Sequence, residues 1–177
     1  PRLEDMMKYE LLPWNEDQFD KLSELEAAEH LGHAYLIQGQ KGLGKESLAK
    51  GFSAYLFCQK PNKKTACGEC QACHLFSAGT HPDFKFIGLD EGSKQIKIEQ
   101  VRDSRSFLAN TPLMGEYKIL LIRSAEKMNT NAANALLKNL EEPAPGTLLF
   151  LLSHQPGLLM PTIRSRCQQI KISRPNE

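Results

Sequence analysis

The sequence predicts an α/β domain: a mostly parallel five-stranded sheet with helices on both faces. Three observations predict it. Apolar runs of strand length alternate with segments of helical periodicity along most of the chain. The first such run, His33-Ala34-Tyr35-Leu36-Ile37, leads straight into a glycine-rich loop, Gly39 to Lys45, and then into a helix. No internal repeat or low-complexity tract interrupts the pattern.

The elements follow in order. Asn15, ahead of Glu16, Asp17 and Gln18, is expected to cap a helix whose acids suit the positive end of its dipole. Phe19, Leu22 and Leu25 extend its apolar stripe to about Leu31. The strand at residues 33–37 and the glycine loop come next. A helix carrying Leu48, Phe52 and Leu56 then ends near Cys58. Residues 58–73 read as loop by composition. Residues 83–89 form a second strand. Ile98, Val101 and Leu108 mark a helix that Pro112 ends by pushing Thr111 out of the helical region. Residues 118–122 are a third strand. Asn129 caps a helix with Ala133, Leu136, Leu137 and Leu140 on one face, and Pro143 and Pro145 stop it. Strands at 148–152 and 169–172 complete the sheet.

Bulk properties narrow the function classes. The 177 residues suit one domain with a full-sized core, and 22 Lys and Arg against 21 acids argue against coating nucleic acid by overall charge. The greasiest run, residues 147–152, is strand-sized, so no membrane span or membrane partner is expected. Residues 1–13 are read as a lead ahead of the domain, with a native start at Met6 or Met7 and no apolar signal core.

Gly39, Gly42, Gly44 and Lys45 form a phosphate loop in the correct strand–loop–helix context. Glycines let backbone N–H groups turn inward, the helix start adds positive potential, and the lysine reaches the outer phosphates. The next position should carry a hydroxyl for magnesium; here it is Glu46. Ser47 is one residue late and is expected to point about 100° away around the helix. A P-loop ATPase also places an Asp and usually a Glu after the third strand, for magnesium and for the attacking water. Arg123 and Ser124 stand there, and Glu126 lies too far past the strand end to be the default substitute. Two independent failures predict a domain that keeps the cradle and has lost hydrolysis.

Cys58, Cys67, Cys70 and Cys73 place four soft ligands within sixteen residues, a pattern suited to structural, tetrahedral zinc. An iron–sulfur cluster is the rival; its bacterial ferredoxin pattern wants a Cys-Pro four residues after Cys73, where Ser77 stands instead. Four thiolates leave no open position for a catalytic metal. Cys167 stands apart from any His/Asn arrangement and reads as a small buried residue.

His33-Ala34-Tyr35-Leu36, the phosphate loop, the Cys segment, His81-Pro82-Asp83, the run from Asn134 to Pro143, and Ser165-Arg166-Cys167 together resemble the bacterial clamp-loader subunits of DNA polymerase III, AAA+ P-loop proteins. The departures at Glu46, Arg123 and Ser124 look like the delta-prime type, the stator that lacks ATPase activity. The resemblance implies a domain over 14–177 with a zinc-binding insertion at 58–76, and lid and collar domains beyond. It implies a cytoplasmic place in a hetero-oligomeric DNA-directed DNA polymerase (nucleotidyltransferase) holoenzyme, beside the gamma/tau motor subunits and the delta subunit. The sliding clamp and primer-template DNA would be met through that complex. It implies that Arg166 reaches a neighbour's ATP as a trans arginine, that Ser153 occupies the position of a phosphate sensor, and that ATP binding by this chain is weak at most, Lys45 being retained. Arg102 and Arg105, at i and i+3 of one helix, are candidates for contact with DNA phosphate. Two other readings remain open at this point: an active motor subunit with unusual magnesium ligands, and a zinc-containing nucleic-acid-binding module.

Overall fold

The computed structural model describes residues 9–175. The expected start at Met6 or Met7 lies outside them. Five strands form the sheet: β1 (Ala34–Gln38), β2 (Phe84–Ile87), β3 (Lys118–Ile122), β4 (Thr147–Ser153) and β5 (Gln168–Lys171). Their order is β2-β3-β4-β1-β5 and every pairing is parallel, with Leu36 opposite Leu151 and Leu121 opposite Phe150.

Strands β1, β3 and β4 are buried along their whole length, which is why they read as continuous apolar runs. Their side chains still alternate between two cores. Tyr35, Ile37, Ile119, Leu121, Leu148 and Phe150 pack with residues of α1 (Glu16–Ala27), α2 (Lys45–Phe57) and α3 (Gln71–Ser77). Ala34, Leu36, Leu120, Ile122, Leu149 and Leu151 pack with α4 (Ile98–Ala109), α5 (Thr130–Glu141) and the short α6 (Pro161–Arg164). The result is a three-layer domain.

Three local expectations change. Helix α1 stops at Ala27, short of Leu31, because Glu29 turns left-handed (φ 58°) and the His30 N–H reaches back to the Leu25 carbonyl at 2.8 Å, a Schellman closure. Asn15 does not cap that helix with its side chain. It is fully buried, and its Nδ2 donates to the Leu43 carbonyl at 2.9 Å, so it ties the entry segment to the phosphate loop. Finally, the cysteine-rich loop contains helix α3. Cys70 caps it by accepting from the Cys73 N–H, and the buried Phe76 packs edge-on to Phe84 at 5.0 Å between ring centroids. Composition hid this helix because Ala72, Cys73 and Phe76 offer only two turns of pattern among loop-forming neighbours.

The connections position the site. From β1 the chain runs out to the β2 edge; from β4 it crosses over β1 to β5. These crossovers diverge, so a crevice opens at the carboxyl ends of β1 and β4. The phosphate loop leaves β1 into that crevice.

Candidate nucleotide cleft, cysteine cluster and outward arginine

The cleft measures about 370 Å³ and is bordered by the phosphate loop, the start of α2, Arg123, Ser124, Ser153 and His154. Gly42 and Gly44 hold φ of 82° and 80°, where a side chain would be strained. Gly44 is also closed in: a Cβ there would meet Leu12 Cδ1 at 2.7 Å and Asn15 Nδ2 at 2.9 Å. Lys45 Nζ folds back onto its own loop, donating to the carbonyls of Gly39 at 2.7 Å and Gln40 at 2.8 Å. Burial draws this ammonium below the usual lysine range; Glu126 opposes that shift and Lys41 adds to it.

The two departures from the ATPase pattern touch each other. Arg123 Nε donates to Glu46 Oε1 at 2.5 Å, and Lys50 Nζ donates to Glu46 Oε2 at 3.0 Å. Lys50 is 1% exposed, while the Arg123 guanidinium lies over the Phe86 ring, 4.8 Å from its centroid. Burial pushes the Glu46 carboxyl up, but the hydrogen bond from Arg123 and the charge and hydrogen bond of Lys50 outweigh it and hold the group below its ordinary value. The acid and the expected strand-end acid have in effect exchanged polarity: a carboxylate sits at the helix start and a cation at the strand end. A divalent metal entering this corner would meet a carboxylate already held by two cations.

The other cleft residues follow. Ser124 sits left-handed at φ 55° at the turn after β3 and borders the cleft. Ser153 is buried at the end of β4, its Oγ accepting from the Gln155 N–H at 3.1 Å. Ser47, expected to point away, also borders the cleft. Glu126 does not: its carboxylate is buried 3.1 Å from His154 Nδ1, with neither oxygen accepting a well-formed hydrogen bond among the described residues.

The four cysteine sulfurs lie within 4.8 Å of one another. Tetrahedral Zn–S bonds of about 2.3 Å require sulfurs about 3.8 Å apart, and Cys67 Sγ stands 3.9 Å from Cys73 Sγ. Backbone N–H groups aim at the sulfurs: those of Lys60 and Cys67 at Cys58, those of Glu69 and Cys70 at Cys67, and that of Cys73 at Cys70. Donors around sulfur stabilise thiolates. The set therefore fits a metal such as zinc. Lys64 then fastens the loop to α1 through Glu16 and Asp20, each at 3.3 Å.

Two arginines, one ending α6 and one just beyond it, part ways. Arg164 Nη1 turns inward to the Pro156 carbonyl at 3.1 Å. Arg166 stays on the surface, where its terminal nitrogens reach Glu141 Oε1 at 2.8 Å and the Thr162 carbonyl at 2.9 Å. Cys167 is buried, and burial pushes its thiol up to about 11, which removes it as a nucleophile. On the far layer Arg102 and Arg105 border one groove of about 480 Å³ with Lys138 of α5 and Glu142.

A family model described as DNA polymerase III, delta subunit, matches residues 14–176. The chain belongs to that family. Subunit delta' of DNA polymerase III from Pseudomonas aeruginosa is 48% identical to it over 160 residues, which is 90% of this chain and 48% of that protein. The subunit delta' of Escherichia coli (strain K12) is 37% identical over 165 residues, 93% of this chain and 49% of that protein. The chain thus falls with the delta-prime subunits, and it spans about half the length of the curated relatives it matches. In fold it is similar to a DNA polymerase III gamma subunit-related protein of Thermotoga maritima, with a TM-score of 0.65 at 24% identity, covering 88% of this chain and 46% of that one.

Three residues of this delta-prime family member are not singled out as site residues by the sequence. Lys50 looks like an ordinary helix lysine, Glu141 like an ordinary helix-end acid, and Lys138 like a solvated one. Each acquires a role only from what folds beside it. An i, i+4 acid–lysine spacing from Glu46 to Lys50 is the one hint available.

Proposed function

We propose that this chain is the non-hydrolysing stator of a bacterial clamp loader. It would complete a neighbouring motor subunit's ATP site with Arg166 and so help load the sliding clamp onto primed DNA. Family membership supports the setting. The ion-pair network of Glu46 with Arg123 and Lys50 carries the rest. It ties up the one carboxylate bordering the cleft among the described residues and puts a cation where an ATPase would keep its strand-end acid. Arg166 supports the second half: it is surface-exposed and oriented, unlike Arg164. An arginine lent in trans neutralises charge on a transferring phosphoryl group and is worth about 10³–10⁵ in rate in comparable systems.

The partners on this reading are the gamma/tau motor subunits and delta, with the clamp and the primer-template reached through the assembly. Arg102 and Arg105 would meet the DNA backbone without reading its sequence. Cys58, Cys67, Cys70 and Cys73 would hold a structural zinc, which when bound supplies four thiolate bonds that close a loop with little core of its own.

The test is a loader reconstituted from full-length subunits. Arg166→Ala is expected to lower the DNA-stimulated ATPase rate of the complex; an unchanged rate sinks the trans role. Magnesium-dependent ATP turnover by the full-length subunit alone, abolished by Lys45→Ala, would instead reveal a motor.

A further inference from the structure

Arg166 belongs to a surface turn, and a surface arginine ordinarily samples many rotamers. Here it does not hang free. Nη2 forms an ion pair with Glu141 Oε1 at 2.8 Å, and Nη1 donates to the Thr162 carbonyl at 2.9 Å. A guanidinium carries five N–H donors in one plane. Two anchors on its two terminal nitrogens set the direction of that plane and leave donors over for an incoming phosphate. Thr162 is part of the same short helix as the chain leading to Arg166, so its carbonyl fixes only the local geometry. Glu141 comes from a different element, the last residue of α5, just ahead of the break at Pro143. It is therefore the group that ties the arginine to the body of the domain.

We infer that Glu141 is a positioning residue for Arg166: its carboxylate holds the guanidinium in the orientation in which it meets the phosphates on a neighbouring subunit. This rests on the reading of Arg166 as a trans arginine. The pair is 35% and 48% exposed at its two side chains, a degree of exposure at which an ion pair adds little to stability. Its consequence is orientational. An arginine that must first find its rotamer contributes less to a transition state than one already aimed. The arginine forms no covalent bond and transfers no proton in this role, so Glu141 has only to aim it.

The experiment uses the loader reconstituted from full-length subunits, with ATP and primed DNA, and compares Arg166→Ala, Glu141→Ala, Glu141→Gln and the Glu141→Ala/Arg166→Ala pair. Glu141→Ala is expected to lower kcat about three- to tenfold with KM for ATP unchanged, because the lost contact is one expressed in the transition state. Glu141→Gln keeps an acceptor at the same place and is expected to restore most of that loss. In the Arg166→Ala background, Glu141→Ala is expected to add nothing. If Glu141→Ala leaves kcat unchanged or raises it while Arg166→Ala lowers it, the positioning role is wrong and the trans arginine stands. An equal fall from Glu141→Ala with and without Arg166 also overturns it, since the acid then acts through something else. An unchanged rate in Arg166→Ala overturns both readings together.

Discussion

At the residue scale, Glu46 and Arg123 are each visible in the sequence as a departure from an ATPase pattern, yet 77 positions separate them and nothing in the order of residues joins them. Folding brings the end of β3 beside the start of α2, and two separate losses become one ion pair with Lys50 as its buried third member. Removing the acid strands the lysine: Glu46→Ala is expected to cost about 3 kcal/mol in urea unfolding, because a charge 1% exposed is left without a partner. The network also sets a pH dependence. The folded Glu46 carboxyl titrates below its ordinary 4.5, so its contribution is complete above that value and is lost as pH falls through the depressed one. As pH falls through the ordinary carboxylate range and below it, wild type should lose its stability advantage over Glu46→Gln; parallel curves there would mean that the carboxylate gains nothing from its partners.

Elements differ in how far sequence alone locates them. Helix α5 is legible because its signal is local: Asn129 caps it, its Oδ1 accepting from the Ala132 N–H at 2.8 Å, and the apolar face repeats over three turns. Asn129→Ala should cost about 1 kcal/mol by thermal or urea unfolding. Asn15 offers the same local signal and misleads, since the turn at Pro13–Asn15 buries its amide against Leu43. Helix α3 stays hidden because its stability comes from the Phe57, Phe76 and Phe84 cluster and from the cysteine site, both tertiary. Metal removal is the matching test. Zinc is expected at one equivalent per chain, and its chelation, or Cys70→Ser, should speed proteolysis within residues 58–76 while the sheet's circular dichroism persists. Iron in place of zinc would shift the assignment to the rival cluster.

Across the whole molecule, the β2-β3-β4-β1-β5 order separates two candidate sites. The crevice at the ends of β1 and β4 holds the glycine-rich loop with Glu46 and Arg123, while Arg166 lies outside that cleft on the turn before β5. Changes at the two places should therefore separate as well. Arg166→Ala is expected to leave the unfolding free energy of this chain within about 0.5 kcal/mol of wild type, since its ion pair is exposed. The same substitution in the assembled loader should lower the ATPase rate. A large stability loss from it would make Arg166 a structural residue.

By itself the sequence determined the alternation of strands and helices, the glycine-rich loop after β1, the four-cysteine cluster and the departures from the ATPase pattern at Glu46, Arg123 and Ser124. All of these are written in residue types at short spacing, where periodicity and local geometry suffice. Only the tertiary structure decided that Glu46 and Arg123 neutralise each other over a buried Lys50, that Asn15 braces the loop, and that Arg166 rather than Arg164 points outward against Glu141. Those are contacts between distant segments. Their partners are chosen by sheet order and helix packing, which no short stretch of sequence contains.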